Sequence, residues 1–84
     1  MWDEETAKRL GLTLRKLRAE KGVSQESLAH EAGITKNQLN LIEAGRSVGL
    51  KDGPGPSNPR MATLAGLADA YGMTMSQLLA TADL

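Results

Sequence analysis

The sequence predicts an all-α fold: a compact bundle of five short helices in a single domain spanning residues 1–84. Three observations lead there. The 84-residue chain has no Phe, one Trp and one Tyr, whereas a β-sandwich draws heavily on aromatic and β-branched residues. Its apolar residues recur at spacings of three and four, which gathers them on one stripe of a helix. Most of these runs open on Asp, Ser, Thr or Pro and close on Gly, the residues that start and stop helices for steric and hydrogen-bonding reasons.

The first helix runs from Asp3 to about Lys21, with Ala7, Leu10, Leu14 and Leu17 as its apolar stripe and Gly22 as its stop. Asp3, Glu4 and Glu5 stand at its start, where the helix dipole favours negative charge. Leu12 points to the opposite side, either as a tolerated exposed Leu or as part of a contact surface. Ser24 caps a second helix that ends near Ala32, and Gly33 supplies the left-handed residue that a chain leaving a helix commonly needs. Thr35 caps the third helix, and Gln38, three residues later, completes a capping box. This helix ends near Ala44, before Gly45.

These two helices fit together in one way. Leu28, Ala29 and Ala32 share a face of the first of them, and Leu39 and Ile42 share a face of the second. Ala29 is small where the second helix crosses it, and Ile34 fills the wedge between them. Residues 24–44 therefore read as a helix-turn-helix.

Residues 46–58 form a long loop, because the Gly and Pro density of Ser47 to Asn58 excludes a helix or a central strand. Residues 59–82 carry the last two helices. Pro59 is expected at the first position of the fourth, with Met61, Leu64, Ala65, Leu67, Ala68 and Tyr71 as its buried face and Gly72 at its end. Thr74 and Gln77 make a second capping box for the fifth, which runs through Leu78 and Leu79 to about Ala82. Met75, Leu78, Leu79 and Leu84 make this end unusually apolar, so part of it is expected to be a self-association patch and the protein a homodimer.

Composition excludes several classes. There is no Cys, so neither a disulfide nor thiolate chemistry is available. No apolar run is long enough to span a membrane, and the residues after Met1 lack a signal-peptide core, so a cytoplasmic protein with a natural start is expected. His30 is the single His. Without Cys or a carboxylate at ligand spacing it predicts no metal site, and without a nucleophile elbow it predicts no hydrolase. Neither a cofactor nor a small-molecule substrate is expected. Met61, Met73 and Met75 read as core or subunit contact. Formal net charge is zero, which argues mildly against nucleic acid, yet Lys8 to Lys21 hold six basic residues and one acidic one, Glu20. A neutral protein with one basic face remains able to bind an anion.

Four blocks in order, LGLTLRKLR (Leu10 to Arg18), VSQESLAHEAGI, NLIEAGR and LAGLADAYGMTMSQLL, resemble the Cro/C1-type (XRE-like) helix-turn-helix family of phage repressors, controller proteins and small bacterial regulators. The resemblance covers about Leu10 to Leu79. It implies a lambda-repressor-like five-helix bundle that binds double-stranded operator DNA, generally as a two-fold dimer, with the third helix in the major groove. The loop after the third helix is longer here than the family commonly needs.

At about 100° per residue, Leu39, Ile42 and Glu43 of the third helix face inward. Lys36, Asn37, Asn40 and Ala44 face away, with Leu41 at the margin. Asn pairs bidentately with adenine and Lys donates to guanine O6 and N7. The resemblance makes Lys36, Asn37 and Leu41 base-reading, Leu41 by an apolar contact such as one with a thymine methyl. Thr35 belongs to the same DNA-binding set. Gln25, at the start of the second helix beside free backbone N–H groups, is a phosphate contact by the same resemblance. Gln38, Asn40, Arg46 and Arg60 are further backbone candidates, and Lys51 is either another or a solvated loop residue. The resemblance also pairs Arg18 with Glu43 as a partly buried ion pair. The function expected is a sequence-specific transcriptional regulator, a repressor or controller in the family's sense, nucleoid-associated when bound and without a sensor domain. The alternatives are an antitoxin or adaptor of the same fold that chiefly binds a partner protein, and an interaction module that binds no DNA.

Overall fold

The computed structural model describes residues 3–46 and 59–84. The expected loop 47–58, with Lys51, lies outside the described residues. Among the described residues the elements are α1 (Glu4–Lys21), α2 (Gln25–Ala32), α3 (Lys36–Glu43), α4 (Met61–Ala70) and α5 (Met75–Thr81).

Each helix begins where its cap dictates. Asp3 accepts the Thr6 N–H at 2.8 Å, and the hydrogen bonds from Thr6 hold the Asp3 carboxyl below its ordinary pKa. Its contribution to the cap is therefore present above the ordinary carboxylate pKa and is lost as pH falls through the lowered one. Ser24 accepts from Ser27. Thr35–Gln38 and Thr74–Gln77 both form complete capping boxes, side chain to backbone in each direction. Gly33 ends α2 at φ 75, a left-handed conformation that costs a residue with a Cβ about 1–2 kcal/mol.

The start of α4 differs from the sequence expectation. Pro59 does not occupy the first helical position: Arg60 is the N-cap, in an extended conformation and with no side-chain cap bond, and Met61 is the first helical residue. The Arg60 carbonyl takes the first helical N–H, that of Leu64. Met61 also departs from the expected buried face. It is 72% exposed, because the first turn of α4 projects past the core that begins at Leu64 and Leu67.

The core is aliphatic. Leu10, Leu14, Leu28, Leu39, Leu67 and Leu78 are its largest fully buried side chains, with Ala29, Ala32, Ile42, Ala68 and Ala82 between them. Helix α2 packs on both α3 and α4, α1 on α3, and α4 on α5. Tyr71 adds one polar tie, its hydroxyl donating to the Leu14 carbonyl at 3.1 Å, and burial pushes its phenol pKa well above the usual value.

Two helix crossings are too close for any side chain. A Cβ on Gly11 would stand 2.5 Å from the Glu43 carbonyl oxygen and 2.7 Å from that of Ile42, so α1 lies directly against the C-terminal end of α3. A Cβ on Gly66 would collide with the Ala32 carbonyl oxygen, so α4 lies equally close to the end of α2. Neither glycine has a turn to make. Each sits inside a helix, where Gly costs about 1 kcal/mol relative to Ala, and each is there because a backbone occupies the space.

Gly11→Ala is therefore expected to destabilise the domain by about 1–3 kcal/mol, the usual cost of overpacking, despite the better helix propensity of Ala. The urea midpoint measures this. A variant as stable as the parent or more so would show that α1 does not approach α3 this closely.

Candidate nucleic-acid interface

Helix α3 is carried on the bundle by one side and open on the other. Leu39 and Ile42 are buried in the core, and Glu43 is 2% exposed. Lys36, Asn37, Gln38 and Asn40 are exposed and Leu41 is half-buried. Lys36, Asn37 and Asn40 are exposed as expected, while Leu41 lies far round the helix from Leu39 and Glu43 by the 3.6-residue period, and its half-burial accompanies the groove it lines with Leu12 of α1. Thr35 is exposed beside them, with its hydroxyl and backbone N–H both committed to the capping box. Gln38 commits its side-chain oxygen to the same box, which leaves the amide NH2 of this exposed residue as a donor.

The buried Glu43 carboxylate organises the surroundings. Arg18 meets it with two N–H groups, Nε to Oε2 at 2.8 Å and Nη2 to Oε1 at 3.2 Å, and donates a third bond from Nη1 to the Val23 carbonyl at 3.1 Å. The hydrogen bonds to Glu43 raise the Arg18 pKa further above its ordinary value, so the guanidinium stays charged. The ion pair that the sequence resemblance implied is thus present, and it joins α1 to α3 at the entrance to α2.

Gln25 has an engagement within the domain beside the phosphate role that the resemblance implies. Its side-chain amide donates to Glu43 Oε1 at 2.9 Å and approaches Asn40 Oδ1 at 3.5 Å. It therefore bridges the first residue of α2 to the inner edge of α3 and stands beside the outward-facing Asn40. The sequence offers no signal for this second role, which needs the three-dimensional approach of residues 15 and 18 apart. Arg46 is exposed just past α3, its N–H donating to the Leu41 carbonyl at 2.8 Å. Arg60 is exposed at the mouth of α4. The structure thus gathers Thr35, Lys36, Asn37, Gln38, Asn40 and Leu41 on one helix, sets Gln25 against its inner edge, and puts Arg46 at its far end.

A second part of this surface is not evident from the sequence. Lys8, Leu12 and Arg15, on one face of α1, line a groove with Leu41, Ala44 and Arg46. The signal lies in the spacing of four and three between these α1 residues, but it only has meaning once α1 is known to lie against the end of α3. His30 is exposed on α2. Among the described residues no three His, Cys, Asp or Glu side chains gather as a metal set, and no helix is long and apolar enough to cross a membrane.

A short capped helix, a left-handed Gly turn and a second capped helix that keeps its polar face outward define a helix-turn-helix domain. A family model for the helix-turn-helix domain matches residues 9–81. The chain is 32% identical over 76 residues to an uncharacterized HTH-type transcriptional regulator, y4dJ, of Sinorhizobium fredii (strain NBRC 101917 / NGR234), covering 90% of this chain and 86% of that protein. Two crystal structures of the clp gene regulator ClgR from Corynebacterium glutamicum are similar, each at 26% identity over 93% of this chain. Their TM-scores are 0.73 and 0.72, and the matches cover 72% and 87% of those chains. The chain belongs to the XRE-like helix-turn-helix family.

Removing one partner from a buried pair leaves the other charge stranded, at a cost of about 3–5 kcal/mol. Arg18→Ala is expected to lower stability by that order, and the double variant Arg18→Met with Glu43→Leu to recover most of it. Chemical denaturation of the three proteins measures both. A single variant within about 1 kcal/mol of the parent would show that water already reaches Glu43.

Proposed function

We propose that this protein is a sequence-specific DNA-binding transcriptional regulator that inserts α3 into the major groove and acts without catalysis, cofactor or metal. The observation that carries this reading is the outward face of α3. Lys36, Asn37 and Asn40 are all exposed on a helix whose opposite face is locked in the core. A helix held rigidly and fully open on its polar side presents donors and acceptors to base edges without first having to reorganise.

In this reading Lys36 and Asn37, in the first turn, face the bases, and Leu41 offers an apolar contact. Gln25, Thr35, Gln38, Asn40, Arg46 and Arg60 face the backbone. The protein works as a homodimer on a two-fold operator whose half-sites lie about one helical turn apart. The exposed Leu84 and half-buried Met75 and Leu79 at the chain's apolar end supply a surface for the second copy. A repressor follows most simply from such a dimer, since occupying a promoter needs no further domain. Its place of work is the cytoplasm, at the nucleoid.

The alternative is an antitoxin or adaptor of the same fold whose main partner is a protein; the zero net charge favours instead an interaction module of this fold that binds no DNA. Co-purification of a stoichiometric second chain, with no duplex enriched, would establish the antitoxin or adaptor in place of the proposal.

Selection of bound duplexes from a random library is expected to enrich one two-fold site, and Asn37→Ala to relax the preference at its contacted base by about 1–3 kcal/mol. Neutralising roughly four to six phosphates per dimer gives a log–log salt slope of about −4 to −5. If Asn37→Ala enriches the same site equally well, the reading residues are assigned wrongly. If the parent enriches nothing at low salt, the regulator reading fails.

A further inference from the structure

The row of side chains on the outer face of α1 serves neither the core nor the reading face of α3. Lys8, Leu12 and Arg15 stand four and three residues apart, so they share one face. Together with Leu41, Ala44 and Arg46 they wall a groove that runs from α1 to the C-terminal end of α3. Three cationic side chains surround it. The one carboxylate on its wall is Glu43, which is buried and already held by Arg18. Leu12 is 63% exposed, an apolar side chain with no core to serve.

We propose that α1 is a second DNA-backbone contact, in which Lys8 and Arg15 act with Arg46 to hold the phosphates that pass the C-terminal end of α3. The inference rests on the reading of α3 as the groove-inserted helix. Three arguments favour a duplex over a protein partner. The groove is continuous with the proposed reading surface, since Asn40, Leu41 and Arg46 belong to both. A helix with its side chains is about 10–12 Å across and the major groove about 12 Å wide, so phosphate rails run close along a seated helix. Apart from the buried Glu43 held by Arg18, the charge on the groove is of one sign, which suits a polyanion.

The groups that face Lys8 do not prevent this. Its Nζ stands 3.4 Å from Glu4 across one helical turn, with both side chains well exposed, and such a pair is weak and readily exchanged. Gly45 packs against the Lys8 backbone, so the start of this row is fixed relative to the end of α3. Leu12 and Leu41 floor the groove, and apolar atoms there exclude water beneath the sugar–phosphate chain.

The test is a salt titration of DNA binding by the full chain on a random-sequence duplex and on the selected site. Removing one phosphate-neutralising side chain flattens the log–log slope by about 0.9. The α1 contacts come in addition to the roughly four to six phosphates per dimer counted for α3 and its flanks, so they steepen the parent slope by about 1.8 per protomer. Lys8→Gln with Arg15→Gln is expected to flatten it by that amount on both duplexes and to leave the enriched sequence unchanged. Arg15→Lys restores the contribution of that position, and Lys16→Gln, exposed on α1 but outside the groove, changes nothing. A double variant with the parent's slope, in a protein whose Asn37→Ala variant still shows a relaxed site preference, overturns the α1 contact and leaves the regulator reading standing. The same parental slope accompanied by failed regulation in cells assigns the groove to a protein partner and likewise overturns it. If the parent shows no DNA binding at low salt, both readings fall together.

Discussion

A carboxylate removed from water has to be met by donors, and the position of α3 follows from how Glu43 is met. Arg18 comes from α1 and Gln25 from the first residue of α2, so one buried group joins three helices at a point. Hydrophobic contact alone is non-directional and would tolerate a rotation of α3 about its own axis. A bidentate guanidinium does not, because its planar fork fits the carboxylate in one orientation. Fixing Glu43 inward fixes Asn40 three residues earlier on the adjacent, exposed edge, and Lys36 and Asn37 one turn before that. Such pairs are weak evidence for stability as such. Their value here is one of orientation: the pair determines which edge of α3 meets the solvent.

The two buried glycine crossings set the distance at which that orientation is held. Gly11 lets the α1 backbone rest on the last carbonyls of α3, and Gly66 lets α4 rest on the last carbonyl of α2. Both contacts fall at C-terminal helix ends, next to the residues that make the turns. Among the described residues the buried core is Leu, Ile and Ala, with Tyr71 the one aromatic ring packed against it, so close backbone approach is the way so small a chain reaches interior packing density. The same closeness brings the Lys8–Arg15 face of α1 level with the end of α3. A wider crossing would leave that face remote from it.

Much of this is legible in the sequence because local rules and the global fold agree. Four of the five helix starts carry Asp, Ser or Thr whose side chain makes the expected cap bond. The exception, Arg60, is where the expected start fails. Pro59 signals a start without saying whether the helix begins on it or after it, since its fixed φ suits an extended residue as well as a helical one. Met61 escapes the expected burial for the related reason that a periodic stripe says nothing about where along the helix the core ends. Gly11 and Gly66 are unreadable as contacts, because a helical glycine looks like a weak spot until its neighbour is known. Gln25 reads from sequence as a group facing a phosphate, and its bond to Glu43 emerges only with α2 and α3 docked. The residues at the outward edge of α3, by contrast, follow from period and caps alone.

A formal charge of zero is a poor start for a protein proposed to bind a polyanion, but the sum hides how charges are spent. Glu4, Glu5, Glu31 and Glu43 are each within ion-pair distance of a basic side chain, Lys8, Arg9, Lys21 and Arg18 respectively. Among the described residues Arg15, Lys16, Lys36, Arg46 and Arg60 make no such pair, and all of these but Lys16 lie on surfaces of α1, α3 or a helix mouth proposed to face the duplex. At physiological ionic strength charges separated by more than about 8 Å are largely screened, so what a phosphate feels is the nearest cation rather than the total. Neutrality then weakens long-range steering and loose association with any duplex, while contacts of a few ångströms keep their strength. For a regulator that must leave non-specific DNA to find one site, giving up the long-range part and keeping the short-range part widens the gap between the two.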